Sequence, residues 1–151
     1  MVKPVPDGYH TVTPYLIVSG GAKALEFYAR AFGAVERERI EDGSGRIGHA
    51  EVVIGTSRVM LADEHPEVGA LSPTTVGGSP ISLHVYVEDV DAVVDRAVAA
   101  GAKLTRPVAD QFYGDRVGGI TDPFGHRWSI VTHKEDVSPE ELHRRAAAQR
   151  G

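Results

Sequence analysis

The 151-residue chain is the length of one ordinary domain, and 42% hydrophobic with 25% charged residues excludes a disordered chain. Sixteen lysines and arginines against 21 acids give a net charge of −5 with no block of like charge, so neither a nucleic-acid surface nor a membrane-surface helix is expected. With no apolar run near the roughly 18 residues of a membrane span, no signal-peptide core and no cysteine, a cytoplasmic protein without thiolate chemistry is expected.

Residues 1–9 read as coil. A β-branched and aromatic run at 12–19 predicts a strand that Gly20 and Gly21 break. Over 22–32, Leu25, Tyr28, Ala29 and Phe32 recur at helical spacing, and Gly33 stands where a left-handed residue ends a helix. The polar alternation of 35–40 suits an edge strand. Strands at 46–54 and 58–62 flank the turn Gly55-Thr56-Ser57. Burying Val52, Ile54, Val59 and Leu61 together leaves His49, Glu51, Val53, Arg58 and Met60 on the opposite face.

Residues 64–80 carry prolines and glycines without periodicity and read as a linker. Beyond it the order repeats. A strand over 81–87 precedes Asp89, a good helix cap, and a helix burying Val90, Val94, Ala97 and Val98 up to Gly101. Strands at 103–108, 116–121 and 126–133 follow, with Pro107 favouring an edge and Asp122-Pro123-Phe124-Gly125 forming a turn. Gly33 and Gly101 lie 68 residues apart, and the shared order of strand, helix and three strands points to a duplicated βαβββ unit. The fold class is therefore α+β, with modules at 10–63 and 81–133. In the tail, 134–151, Ser138 to Glu141 form a capping box before a short helix.

The runs TPYLIV, ALEFYARAFGA, GHAEVVIG, VMLADE, LHVYVEDVDAVVDRAVAAGAK and TDPFGHRWSIVTHKEDVSPEEL together resemble the vicinal-oxygen-chelate superfamily of glyoxalases, bleomycin-resistance proteins and dioxygenases, most closely its PhnB-like branch. The resemblance implies paired modules curling into a cup, usually in a homodimer. It also implies, in metal-dependent members, one divalent ion held at positions that here are Thr13, Met60, Ser82 and Ser129. None of these is a usual ligand for such an ion, so no metal cofactor is expected.

Alternation places Ser82, His84 and Tyr86 on one strand face, and Tyr15 with Thr13 on another. His84 with His49 and Glu51 is the alternative metal set; otherwise His84 is a pocket wall and Glu51 pairs with Arg58. In the loop 110–116, Tyr113 can contact a ligand, and Arg116 either clamps an anion or pairs with Asp115. Gly118 and Gly119 open space for a ligand or mark a bulge. The expected function is binding of a small organic molecule in a metal-free cup. The rival is a lyase, isomerase or dioxygenase, in which His84 or Glu51 is the candidate catalytic base. A third class is a module that recruits a protein through its tail.

Overall fold

The computed structural model describes all 151 residues. The first module runs β1 (Tyr15–Val18), α1 (Gly21–Phe32), β2 (Val35–Glu41), β3 (Ile47–Ile54) and β4 (Ser57–Asp63). The second repeats it as β5 (Ser82–Tyr86), α3 (Val90–Ala99), β6 (Lys103–Asp110), β7 (Asp115–Thr121) and β8 (Arg127–His133). Between them lie a 3-10 turn, Pro66–Val68, and a single helical turn, α2 (Pro73–Val76). The tail forms α4 (Pro139–Arg150), started by the Ser138 hydroxyl accepting the Glu141 N–H.

Each module builds its own four-stranded sheet, in the orders β1-β4-β3-β2 and β5-β8-β7-β6. The first strand of each pairs parallel with the last, and the other pairings are antiparallel. This is an α+β fold of two βαβββ units, with β2 and β6 on sheet edges where polar alternation and Pro107 are tolerated. The β3–β4 register is the one apolar burial demands: Val52 faces Val59, and Ala50 faces Leu61.

Helix boundaries follow local chemistry. Gly33 takes φ +68° and ends α1, its N–H bonding to the Ala29 carbonyl and the Ala34 N–H to that of Tyr28. Asp63 takes the N–H groups of Gly20 and Gly21 at the other end and also that of Ile47. Asp89 caps α3 by accepting the Ala92 N–H at 3.1 Å. The buried stripes differ from simple heptad spacing. Ala24, Phe27 and Ala31 are buried on α1 while Ala29 is exposed, and Val93 replaces Val98 on α3. Both helices touch a sheet and each other, so the apolar arc is wider than one face.

One hydrophobic core therefore serves both modules. At its centre Phe27, Tyr28 and Phe32 of α1 meet Phe124 and Trp128 of the second module, with Phe32 and Trp128 ring centroids 4.6 Å apart. Asp122, 3% exposed, binds this cluster. Its Oδ2 accepts the Tyr28 hydroxyl at 2.6 Å and the Trp128 indole N–H at 2.9 Å; its Oδ1 accepts the N–H groups of Phe124 and His126. A buried carboxylate is tolerable only when its lone pairs are filled in this way. Burial, with Asp122 beside it, raises the Tyr28 hydroxyl well above the ordinary tyrosine range.

Gly118 serves packing rather than ligand space. A Cβ there would lie 2.7 Å from Val108 Cγ2 and 2.9 Å from Val94 Cγ2, so its absence lets α3 approach the sheet. The irregularities in this region fall in the pairing of β6 with β7.

Replacing Asp122 by Ala leaves two side-chain donors and two backbone donors buried without an acceptor. Urea unfolding is expected to show a loss of about 3 kcal/mol or more, against about 1 kcal/mol for Asp89→Ala at the α3 cap. Equal losses would contradict the bridging role given to Asp122.

Candidate ligand site

Because each sheet turns one face to the helices, its other face carries the remaining side chains. On the first sheet these include Tyr15, His49, Glu51, Arg58 and Met60. Tyr15 is 46% exposed, and its hydroxyl is bonded to His49 Nδ1 at 2.8 Å. Met60, half-buried, pairs with Tyr15 on one side and Glu51 on the other.

Glu51 is only 5% exposed because the N-terminal arm covers it. Tyr9 donates its hydroxyl to both carboxylate oxygens, at 2.7 and 2.5 Å, and Arg58 reaches Oε2 at 3.5 Å. The Arg58 guanidinium lies 4.6 Å from the Tyr9 ring centroid, and its Nε–H bonds to the Gly8 carbonyl. Tyr9 thus straps the arm onto the sheet. The expected Glu51–Arg58 pairing is present, and Tyr9 adds a contact that the sequence, read as coil there, gave no sign of.

Glu38 of β2 pairs directly with Glu51 across the sheet. Ligand atoms of Glu38, His49 and Glu51 all lie within 4.8 Å of one another. His84 is not part of this group; it sits on β5 opposite Ser129 of β8. Ser82, His84 and Tyr86 are exposed on one face of β5, Tyr86 at 66%. Ser82 pairs with Arg127 at the strand start.

The two modules meet at a cleft of about 470 Å³. One wall is the arm before β1 with Thr13 and the β3–β4 turn with the start of β4 at Arg58; the other is β5, including His84 and Tyr86. Phe32 and Trp128 also line it. The cleft therefore joins Thr13, Arg58, His84 and Tyr86, and adds His10, whose neighbour Thr13 places its hydroxyl 3.5 Å from the His10 carbonyl.

Tyr15, His49, Glu51, Met60, Ser82 and Ser129 do not line the cleft, and two further expected contacts, Arg116 and Tyr113, lie on other parts of the fold. Arg116 projects to the helix side, where Asp91 of α3 holds it in a two-pronged pair at 2.8 and 3.0 Å and Asp110 at 3.1 Å. Its partner is thus not Asp115, which pairs with His133 instead. Tyr113 is half-buried in the β6–β7 turn, edge-on to Phe112 at 5.3 Å between centroids. Neither residue lines the cleft.

Residues 9–130 match the model of the Glyoxalase/Bleomycin resistance protein/Dioxygenase superfamily. The chain belongs to that superfamily. An uncharacterized protein of Mycobacterium bovis, Mb0911c, is 38% identical over 141 residues, covering 91% of this chain and 93% of that protein. Among solved structures, the Arabidopsis thaliana At5g48480 gene product shares 26% identity at a TM-score of 0.66, covering 81% of this chain and 98% of its own. A mutant of the fosfomycin resistance protein FosX from Listeria monocytogenes, complexed with Mn(II) and 1S,2S-dihydroxypropylphosphonic acid, matches at 17% identity and a TM-score of 0.64, covering 89% and 96%. That last likeness is one of fold.

A superfamily metal does not fit the corresponding positions here. They offer hydroxyls from Thr13, Ser82 and Ser129 and the thioether of Met60, with no imidazole or carboxylate to neutralise a divalent charge.

The strap makes a pH-dependent prediction. The Tyr9 hydroxyl titrates above its ordinary value, chiefly because it donates a hydrogen bond to Glu51 that the phenolate would lose, with burial second. A raised folded value means the contribution to stability is full below about pH 10 and is lost as pH rises through that folded value. A spectroscopic titration should show one high-titrating tyrosine returning toward the ordinary range in Glu51→Gln. An unchanged curve would contradict the strap.

Proposed function

We propose that the chain binds a small organic molecule without a metal, as a PhnB-like member of its superfamily. The observation that carries this is the donor set: the family's metal positions hold two serines, a threonine and a methionine, beside a cleft with apolar walls and a few polar side chains. Sequestration needs shape, apolar surface and orienting hydrogen bonds, and no reactive group. Thr13, Arg58, His84 and Tyr86 supply the polar contacts in this scheme, with Phe32 and Trp128 the apolar wall.

A homodimer is part of the proposal. Tyr15, a large ring 46% exposed on the uncovered face of the first sheet, lies on the surface a second copy would bury. No helix is long and apolar enough to cross a membrane. The cytoplasm is the compartment proposed, with no nucleic-acid partner.

One grouping favours an enzyme with an unconventional metal instead: Glu38, His49 and Glu51. Two carboxylates and an imidazole suit a divalent ion, and the Tyr15 hydroxyl on His49 Nδ1 leaves Nε2 free to ligate. Against it, Glu51 is already engaged by Tyr9 and Arg58.

Ligand-observed NMR with a panel of small aromatic molecules, in excess chelator, is expected to give saturable and mutually competitive signals. Binding that appears only after manganese, nickel or zinc is added, and vanishes in His49→Ala, would replace the proposal with the metal reading. Sedimentation equilibrium should return twice the 16.2 kDa chain mass; a monomer at micromolar concentration would remove the dimer.

A further inference from the structure

The basic side chains lining the inter-module cleft are His10, Arg58 and His84, and no aspartate or glutamate lines it. The chain as a whole carries 21 acids against 16 lysines and arginines. A second hollow of about 400 Å³ on the first module is lined by Asp42, Asp63 and Glu64. The acids are kept out of one depression and not the other.

We propose that the cleft selects an amphipathic organic anion: an apolar, ring-sized body carrying one carboxylate- or sulfonate-type group. This rests on the cleft being the ligand site and goes further by naming the ligand's charge. The body lies against Phe32, Trp128, Leu83 and Val85. The charged group meets Arg58, whose five N–H donors outnumber the contacts given to the Gly8 carbonyl and Glu51.

Arg58 is positioned for that task. Its Nε–H is fixed on the Gly8 carbonyl, Tyr9 lies across the guanidinium, and Glu51 touches one nitrogen at 3.5 Å. Gly8, Tyr9 and Glu51 are not cleft residues, so the guanidinium is anchored from outside while the arginine lines the cavity. The anchoring reduces the rotamer freedom that would be lost on binding. A cationic ligand would find no carboxylate on these walls, and its charge would meet Arg58.

Trp128 is the single tryptophan of the chain and lines the cleft, so its emission reports entry. The test compares 1-anilinonaphthalene-8-sulfonate with N-phenyl-1-naphthylamine, the same ring system without the sulfonate. Energy transfer from Trp128 is read on the full chain. The sulfonate is expected to bind about tenfold more tightly than the neutral compound. Arg58→Gln should remove that advantage and leave the neutral compound within about twofold. Because Arg58→Gln also disturbs the arm, Thr56→Asp supplies a second variant: it adds a carboxylate at an exposed turn residue on the cleft wall and should weaken the sulfonate alone. Equal affinity for both probes, or variants that weaken both alike, would overturn the anion preference while the cleft remains a ligand site. If neither probe draws Trp128 emission, the cleft is not the ligand site and the proposed function falls with it.

Discussion

The structure depends on one buried carboxylate. Asp122 sits between the modules with both oxygens occupied, taking Tyr28 from the first helix and Trp128 from the last strand on the same atom. That bridge fixes the angle at which α1 meets the second sheet. It also fixes the indole that, with Phe32, lines the cleft. The turn following Asp122 is held by the same side chain through two backbone N–H groups. Buried charge is usually a liability, and here every donor that stabilises it is itself part of the joint. The core, the module pairing and the cleft wall thus share one hydrogen-bonding centre.

What the helices do not cover defines the chemistry. Side-chain alternation sends apolar residues to the shared core and leaves a polar network on the first sheet, running from Tyr9 through Glu51 to Arg58, with His49 and Tyr15 alongside. In the second module the uncovered face of β5 carries Ser82, His84 and Tyr86. Hydroxyls and a thioether at the family's metal positions make a poor cation site, while a guanidinium beside an apolar cleft that no acid lines is what the proposed anion would meet. Both follow from which residues occupy a common scaffold, which is how one fold supports unrelated activities.

Much of this was legible in the sequence because it is local. The duplicated order, the β3–β4 register, the Asp89 cap and the Ser138 box depend on neighbours within a few residues or on strict alternation. The uncovered positions of His49, Glu51 and Arg58 followed from the same alternation. Contacts between distant segments were not legible. Tyr9 meets Glu51 across 42 residues, and Tyr28 meets Asp122 across 94. The sequence around Arg116 offers only its chain neighbour Asp115 or a ligand, yet α3, 25 residues earlier, supplies Asp91. Nor could a strand pattern show that Gly118 makes room for Val94, or that β1 begins at Tyr15. In each case the missing information was which segments distant in the chain pack against one another.

The central claim is that this site works without a resident metal. Mass-spectrometric metal analysis of protein purified without chelator, followed by calorimetric titration with manganese, nickel and zinc, bears on it most directly. The account predicts far less than one ion per chain and no tight binding isotherm. One ion held per chain, lost when His49 is changed to Ala, would contradict it and make the Glu38–His49–Glu51 group the functional centre.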